Sequence, residues 1–226
     1  MKIAIASDVH LEFGPLQLEN TEGADLLVLS GDICTAKDFD TTAAMYGDMP
    51  HSKKAARFVD FFKQASQEFK HVVYVIGNHE HYNYDFKYTT TYIKSNLEHL
   101  ENVYLLDNET KKIDDVTFIG GTMWSDMNKR DPLTLLHMKD MMNDYRAIRH
   151  DGLGYTKLRP AHTIERHKNS LSFIKTIVAE QHDRKFVVVG HHAPTYKSMD
   201  ERYRGDAMNA AYYSDLSEFI LDRPQI

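Results

Sequence analysis

Four short apolar runs, each closed by a cluster of polar residues, set the strongest limit on what this chain can fold into. Ile3-Ala4-Ile5-Ala6 leads to Asp8-Val9-His10, and Leu26-Leu27-Val28-Leu29 leads to Gly31-Asp32. Val72–Ile76 leads to Gly77-Asn78-His79-Glu80, and Phe186-Val187-Val188-Val189 leads to Gly190-His191-His192. Runs this short, rich in β-branched residues and closed by Gly or Asp, read as buried strands. Carboxylates, an amide and imidazoles then stand just past the carboxyl ends of four strands. Open α/β folds build their sites at that edge, where loops converge on a rigid sheet. Asp8 and His10, two apart on extended backbone, would face the same way. His191 and His192, as neighbours, would face opposite ways. Asp, Asn and His together form a hard-to-borderline donor set suited to divalent transition metals.

Strand and helix alternate up to Glu80, which argues for an α/β fold. Lys53–Glu68 spaces Ala56, Val59, Phe62 and Ala65 at helical intervals. Phe86–Leu100 reads as a helix and Val103–Leu106 as a short strand. Lys112–Asp115 reads as a polar lead into the apolar run Val116–Gly120. Residues 126–163 lack a clean period and read as an inserted cap or loop region with short helices. Thr163–His182 returns to helical spacing with Thr163 as its N-cap, and Tyr213–Ile220 reads as a final helix. The span 1–226 reads as one domain with an ample core. Net charge is −6, so no general basic surface advertises nucleic acid. A nucleotide substrate stays compatible, because bound cations supply positive field locally. Cys34 is the sole cysteine, which excludes an intrachain disulfide and fits a reducing cytoplasm. No apolar run reaches membrane-spanning length. Histidines outside the clusters, His81 and His167 among them, read mostly as surface residues.

The blocks D-x-H, G-D, G-N-H-E and a His after a strand, in that order, resemble the calcineurin-like metallophosphoesterase family. They run from Asp8 to His192 and cover most of the chain. G-N-H-E after a strand is the most specific of them. A fifth block of the family, G-H-x-H, does not occur between His192 and Ile226. The expectation is that the chain stops short of it and of the closing C-terminal strands, with Leu221–Ile226 entering one more strand.

The resemblance implies two mixed β-sheets packed as a sandwich and flanked by helices. It implies metal-dependent hydrolysis of phosphate monoesters or diesters, with hydroxide bridging two divalent cations (Mn, Fe, Zn or Ni). One cation would take Asp8, His10 and Asp32; the other would take Asp32, Asn78 and His191. His79 is implied as the catalytic group beside the substrate phosphate. In some relatives its counterpart pairs with an Asp three residues after the bridging Asp; here that position is Thr35.

Taken singly, these residues have plainer readings. Asp8 and His10 suit a loop, Asp32 a helix N-cap, Asn78 a turn, and His79 a loop-holding imidazole. Glu80 reads equally as a carboxylate orienting a neighbouring ligand or as a surface ion-pair partner. Trp124 and Asp126 are candidates for pocket wall, and Arg130, Arg146 and Arg149 for phosphate contacts. The absent fifth block motivates a second reading, a catalytically weak binding or scaffold protein of the same fold. The implied partner is a phosphate-ester substrate, with no membrane; the oligomeric state stays open.

Overall fold

The structure is a computed structural model that describes residues 1–42, 50–153, 155–180 and 185–226. The predicted runs form strands at Ile3–Ala6 (β1), Leu26–Ser30 (β2) and His71–Val75 (β3), joined by Val103–Leu105 (β4). These pair in the order β1-β2-β3-β4, parallel throughout. A second sheet holds Glu109–Ile113 (β5), Val116–Gly120 (β6) and Lys185–Val189 (β7). It is mixed: β5 runs antiparallel to β6, and β7 runs parallel to it.

Period-two alternation sorts each strand between two cores. Leu26 and Val28 of β2, with Val73 and Val75 of β3, face Phe118 of β6 and Val189 of β7 across the sandwich. Leu27, Leu29, Val72 and Tyr74 face the other way, onto helix α1 (Pro50–Glu68) and α2 (Thr89–Leu97). Ala55, Phe58, Phe62 and Ala65 form the buried stripe of α1. Beyond the second sheet, Ile119 and Phe186 pack on Ile174 and Val178 of a long helix over Pro160–Glu180. Along the chain, between β6 and that helix, come three short helical pieces: α3 (Met127–Arg130), α4 (Pro132–Met141) and α5 (Asp144–Ala147). The long helix is α6, and Ser217–Leu221 forms α7. The pieces α3 to α5 share a fourth core, built on Trp124, Met138, Tyr145 and Ile148. Among the described residues, no helix is long and apolar enough to cross a membrane.

Several local expectations change. The polar stretch before β6 contains an edge strand, β5, in which Glu109, Thr110 and Lys112 are exposed and Ile113 is buried. Charged residues suit an edge, where they discourage pairing with another chain. Thr163 is no N-cap: α6 begins at Pro160, and the buried Thr163 hydroxyl donates to the Pro160 carbonyl. The stretch of α6 expected beyond Glu180 lies outside the described residues. Ile5, read as buried, is 73% exposed. The last residues form no strand: the Gln225 carbonyl accepts from the Phe186 N–H, and the Ile226 N–H donates to Arg223. His81 and His167 are buried rather than superficial.

Phe62 stacks on Phe39 at 5.5 Å and tilts against Tyr74 at 5.3 Å, with 1% of its surface exposed. Phe62→Ala should therefore cost about 3–5 kcal/mol, from lost burial plus an unfilled cavity. Urea unfolding followed by far-UV circular dichroism measures it, and a loss below about 1 kcal/mol would contradict this packing.

Candidate metal centre

Past the strand ends, the β1 and β2 loops continue side by side. Asp8 N–H donates to the Gly31 carbonyl, His10 N–H to Asp32, and Leu11 N–H to Ile33. The expected extended backbone is absent here: Asp8, His10 and Asp32 have φ of 55°, 50° and 55°. Such left-handed conformations are uncommon for residues other than Gly and cluster at functional sites. Two glycines let the loops close. A Cβ on Gly31, whose φ is +87°, would meet the His191 ring, and one on Gly77 would meet the Asp32 carboxylate.

Glu80 ties these loops together from inside. It is fully buried, and four donors converge on its two oxygens. Asp32 N–H (3.0 Å) and Gly77 N–H (2.7 Å) reach Oε2; Ile33 N–H (2.8 Å) and the Tyr74 hydroxyl (2.6 Å) reach Oε1. Burial and the nearby Asp32 charge push its pKa upward, while those donors pull it back. Four donors and no facing acceptor favour the ionised form. Glu80 is thus a loop-orienting carboxylate, not a surface ion-pair partner.

Asp32 sits at the centre with its side chain 5% exposed. Its Oδ1 accepts from the His79 N–H at 2.8 Å. Its Oδ2 lies 3.5 Å from His191 Nε2 and 4.0 Å from His10 Nε2. Burial raises the Asp32 pKa, but hydrogen bonding and charge from His191, helped by His79, hold it well below the usual carboxylate range. His191 Nδ1 meets the Ser30 carbonyl at 2.8 Å, and Nε2 meets Asn78 Oδ1 at 3.1 Å. Both partners are acceptors, so in the metal-free protein the ring is an imidazolium. Burial lowers its pKa, and the Asp32 carboxylate overrides that to about 9. His192 turns away, 5.0 Å from the Trp124 ring, and burial pushes it down to about 3.

Two groups of three donors gather around Asp32: Asp8, Asp32 and His191, and His10, Asp32 and His79. In each, the donor atoms lie within 4.8 Å of one another. Carboxylate and imidazole at that spacing fit a divalent transition metal. His79, expected as a catalytic group and not as a ligand, thus stands among the candidate donors.

Two residues that the sequence did not single out orient the others. Glu12 Oε1 lies 2.8 Å from His79 Nδ1 and 3.2 Å from His10 Nδ1. A carboxylate at Nδ1 fixes the tautomer and aims Nε2 at the pocket. Burial pushes the His79 pKa down, yet Glu12 and Asp32 outweigh it and raise the ring above the ordinary histidine value. Glu12 takes the place that the resemblance gave to an Asp at position 35, from a different loop. Asp144 is the second. Its Oδ1 accepts from Asn78 Nδ2 (2.9 Å) and from the Tyr82 hydroxyl (2.7 Å), which turns Asn78 Oδ1 toward His191. Glu12 had a weak sequence signal, two residues after His10; Asp144 had none, 66 residues from Asn78.

The pocket over these donors holds about 470 Å³ and is walled by Met141, Met142, Met208 and Tyr212. Trp124, Asp126, Arg130, Arg146 and Arg149 are not among its lining residues, and Trp124 packs in the core beneath.

Glu80→Gln would place an amide NH₂ against two converging donors. It should destabilise the fold by about 3 kcal/mol. Chemical denaturation reads this loss, and unchanged stability would mean that the loops do not depend on the carboxylate.

Comparison with known proteins agrees with this architecture. A sequence model of the calcineurin-like phosphoesterase family matches residues 1–224. The chain is 27% identical over 235 residues to an uncharacterized protein of Acanthamoeba polyphaga mimivirus, covering 97% of this chain and 80% of that one. The crystal structure of a phosphopantetheinyl hydrolase from Mycobacterium tuberculosis superposes with a TM-score of 0.64. It covers 94% of this chain and 75% of its own at 11% identity, a likeness of fold alone. With a family match from end to end and acidic and imidazole donors gathered past the strand ends, the chain belongs to the calcineurin-like phosphoesterases, a family of metal-dependent phosphoester hydrolases.

Proposed function

We propose that this chain hydrolyses phosphate monoesters or diesters with two divalent cations. Asp8, His10 and Asp32 would hold one; Asp32, Asn78 and His191 would hold the other. The observation that carries this reading is the charge of the pocket. Asp8 and Asp32 line it, and among the described residues no Lys or Arg does. A phosphoester anion meets two carboxylates there, which His191 and His79 offset only in part, and bound cations would supply the positive field that the anion needs. When bound, such cations supply Lewis acidity to the phosphoryl oxygens and lower the pKa of water.

The chain's own residues do the rest. The Ser30 carbonyl and Glu12 hold the Nδ1 protons of His191 and His10, so each ring offers Nε2. Asp144 and Tyr82 fix the Asn78 amide with its oxygen inward. Glu12 holds His79 by Nδ1, and Tyr82 stacks on the ring at 4.1 Å. His79 Nε2 is then placed to carry a proton to the departing oxygen. Met142 and Tyr82 narrow the pocket and limit water. From the 126–163 region, Met141, Met142 and Asn143 form its wall in this reading. A reducing, cytoplasmic setting suits the buried thiol of Cys34.

The direct test is turnover of p-nitrophenyl phosphate and of its bis ester, with and without Mn²⁺. Metal-dependent hydrolysis of either is expected, and inactivity on both across Mn, Fe, Zn and Ni would contradict the proposal.

His79→Ala separates the two places open to that residue. As a proton donor, its loss should leave metal content intact and slow turnover roughly 10²–10⁴-fold, less for good leaving groups. Loss of bound metal would instead make it a ligand.

Metal affinity should rise with pH. The metal-free His191 ring keeps its extra proton up to a pKa of about 9, and a cation must displace that proton. Calorimetry in buffers of different ionisation enthalpy should show about one proton released per His191-bound metal at neutral pH. Affinity that is flat between about pH 6.5 and 8.5 would contradict that assignment of His191.

A further inference from the structure

A second, larger concavity of about 950 Å³ opens between α4 and residues 155–161. Its floor is aliphatic, from Leu135 and Leu158, and its rim carries Leu136 (60% exposed) and Tyr155 (87% exposed). Leu133, one turn before Leu136 on α4, is 76% exposed. Lys139, Arg146, Lys157 and Arg159 line the same groove, against a single acid, Asp140. All four cations are exposed, and none makes an ion pair among the described residues. Arg146 instead donates to the Asp140 carbonyl.

Clustered like charges repel, and here they sit in a protein of net charge −6. Exposed aliphatic side chains beside them add surface that water solvates poorly. Both features are relieved by one kind of occupant, which is anionic and carries apolar anchors. Aromatic and Arg side chains around a concave apolar centre are also the make-up of protein-binding hot spots.

We propose that this groove docks an acidic segment of a partner protein, with Leu or Phe anchors on its aliphatic floor. Asp and Glu side chains of that segment would face Lys139, Arg146, Lys157 and Arg159. Single-stranded nucleic acid fits less well, because bases stack on aromatic platforms and the groove offers one exposed ring, Tyr155. The turn 141–146 joins the two concavities: Met141, Met142 and Asn143 line the metal pocket, while Arg146 lines the groove. A docked protein would therefore lie beside the metal pocket. The docking itself does not depend on the phosphoesterase reading.

The test is selection of a random displayed peptide library on the intact chain, with counter-selection on Lys157→Glu/Arg159→Glu. Enriched peptides should carry excess Asp and Glu with Leu or Phe anchors. A synthesised winner should bind the double variant at least about tenfold more weakly, as loss of close charge pairs implies. Lys139→Glu, on the opposite wall, should weaken it in the same direction. Far-UV circular dichroism and the thermal midpoint of these variants should match those of the wild type, which shows that they fold without recourse to the metal chemistry. Neutral or basic winners, winners that bind the variants equally, or no enrichment would overturn the proposal. So would a dT₁₆ oligonucleotide that binds more tightly than the peptides and is lost in the double variant.

Discussion

The Glu80 carboxylate is the constraint on which the site's geometry hangs. Four strands deliver their loops to one edge of the sandwich, but strand ends alone do not fix side chains to fractions of an ångström. Glu80 does so by accepting N–H groups from both the β2 loop and the β3 loop, and it is braced beneath by Tyr74 of β3. The Asp32 and Gly77 backbones are thereby held in mutual contact, close enough that neither Gly31 nor Gly77 has room for a Cβ. A buried charge is costly unless every lone pair is used. Here four donors use them, so the carboxylate orders the loops instead of straining them.

Charge balance follows from that frame. Asp8 and Asp32 are brought together with His10, His79 and His191, and His191 and His79 offset the Asp32 charge. Asp32 is held ionised by His191, and His191 is held protonated by Asp32. Such a pair would suit a divalent cation, which would be held by the carboxylate in place of the imidazole proton. The outer carboxylates Glu12 and Asp144 take no part in that exchange. They contact the donors from behind and fix which atom of each ring or amide faces inward.

Much of this was legible in the sequence, for a physical reason. Buried strands require near-continuous apolar runs, so the polar residues that end them stand out, and the structure brings Asp8, His10, Asp32, Asn78, His79 and His191 to one pocket. What was illegible lacked such contrast. The edge strand β5 is polar because an edge need not be buried, so its sequence reads as a loop. Thr163 has the chemistry of a cap, but Pro160 starts the helix first, since its fixed φ suits the first helical position. Asp144 acts across the fold through Asn78, and no local pattern reports a contact of that range. Left-handed backbone at Asp8 and His10 replaced the extended geometry, yet both side chains still reach the pocket, because the loop hydrogen bonds to the β2 turn hold them there.

In the proposed function, Asp32 would serve two cations at once. Equilibrium dialysis against Mn²⁺, with bound metal counted by mass spectrometry, tests it on the wild-type chain and on Asp32→Asn. About two equivalents are expected in the wild type and loss of both in the variant, since one carboxylate belongs to both candidate donor groups. An Asp32→Asn protein that is folded and keeps a tightly bound equivalent would contradict it.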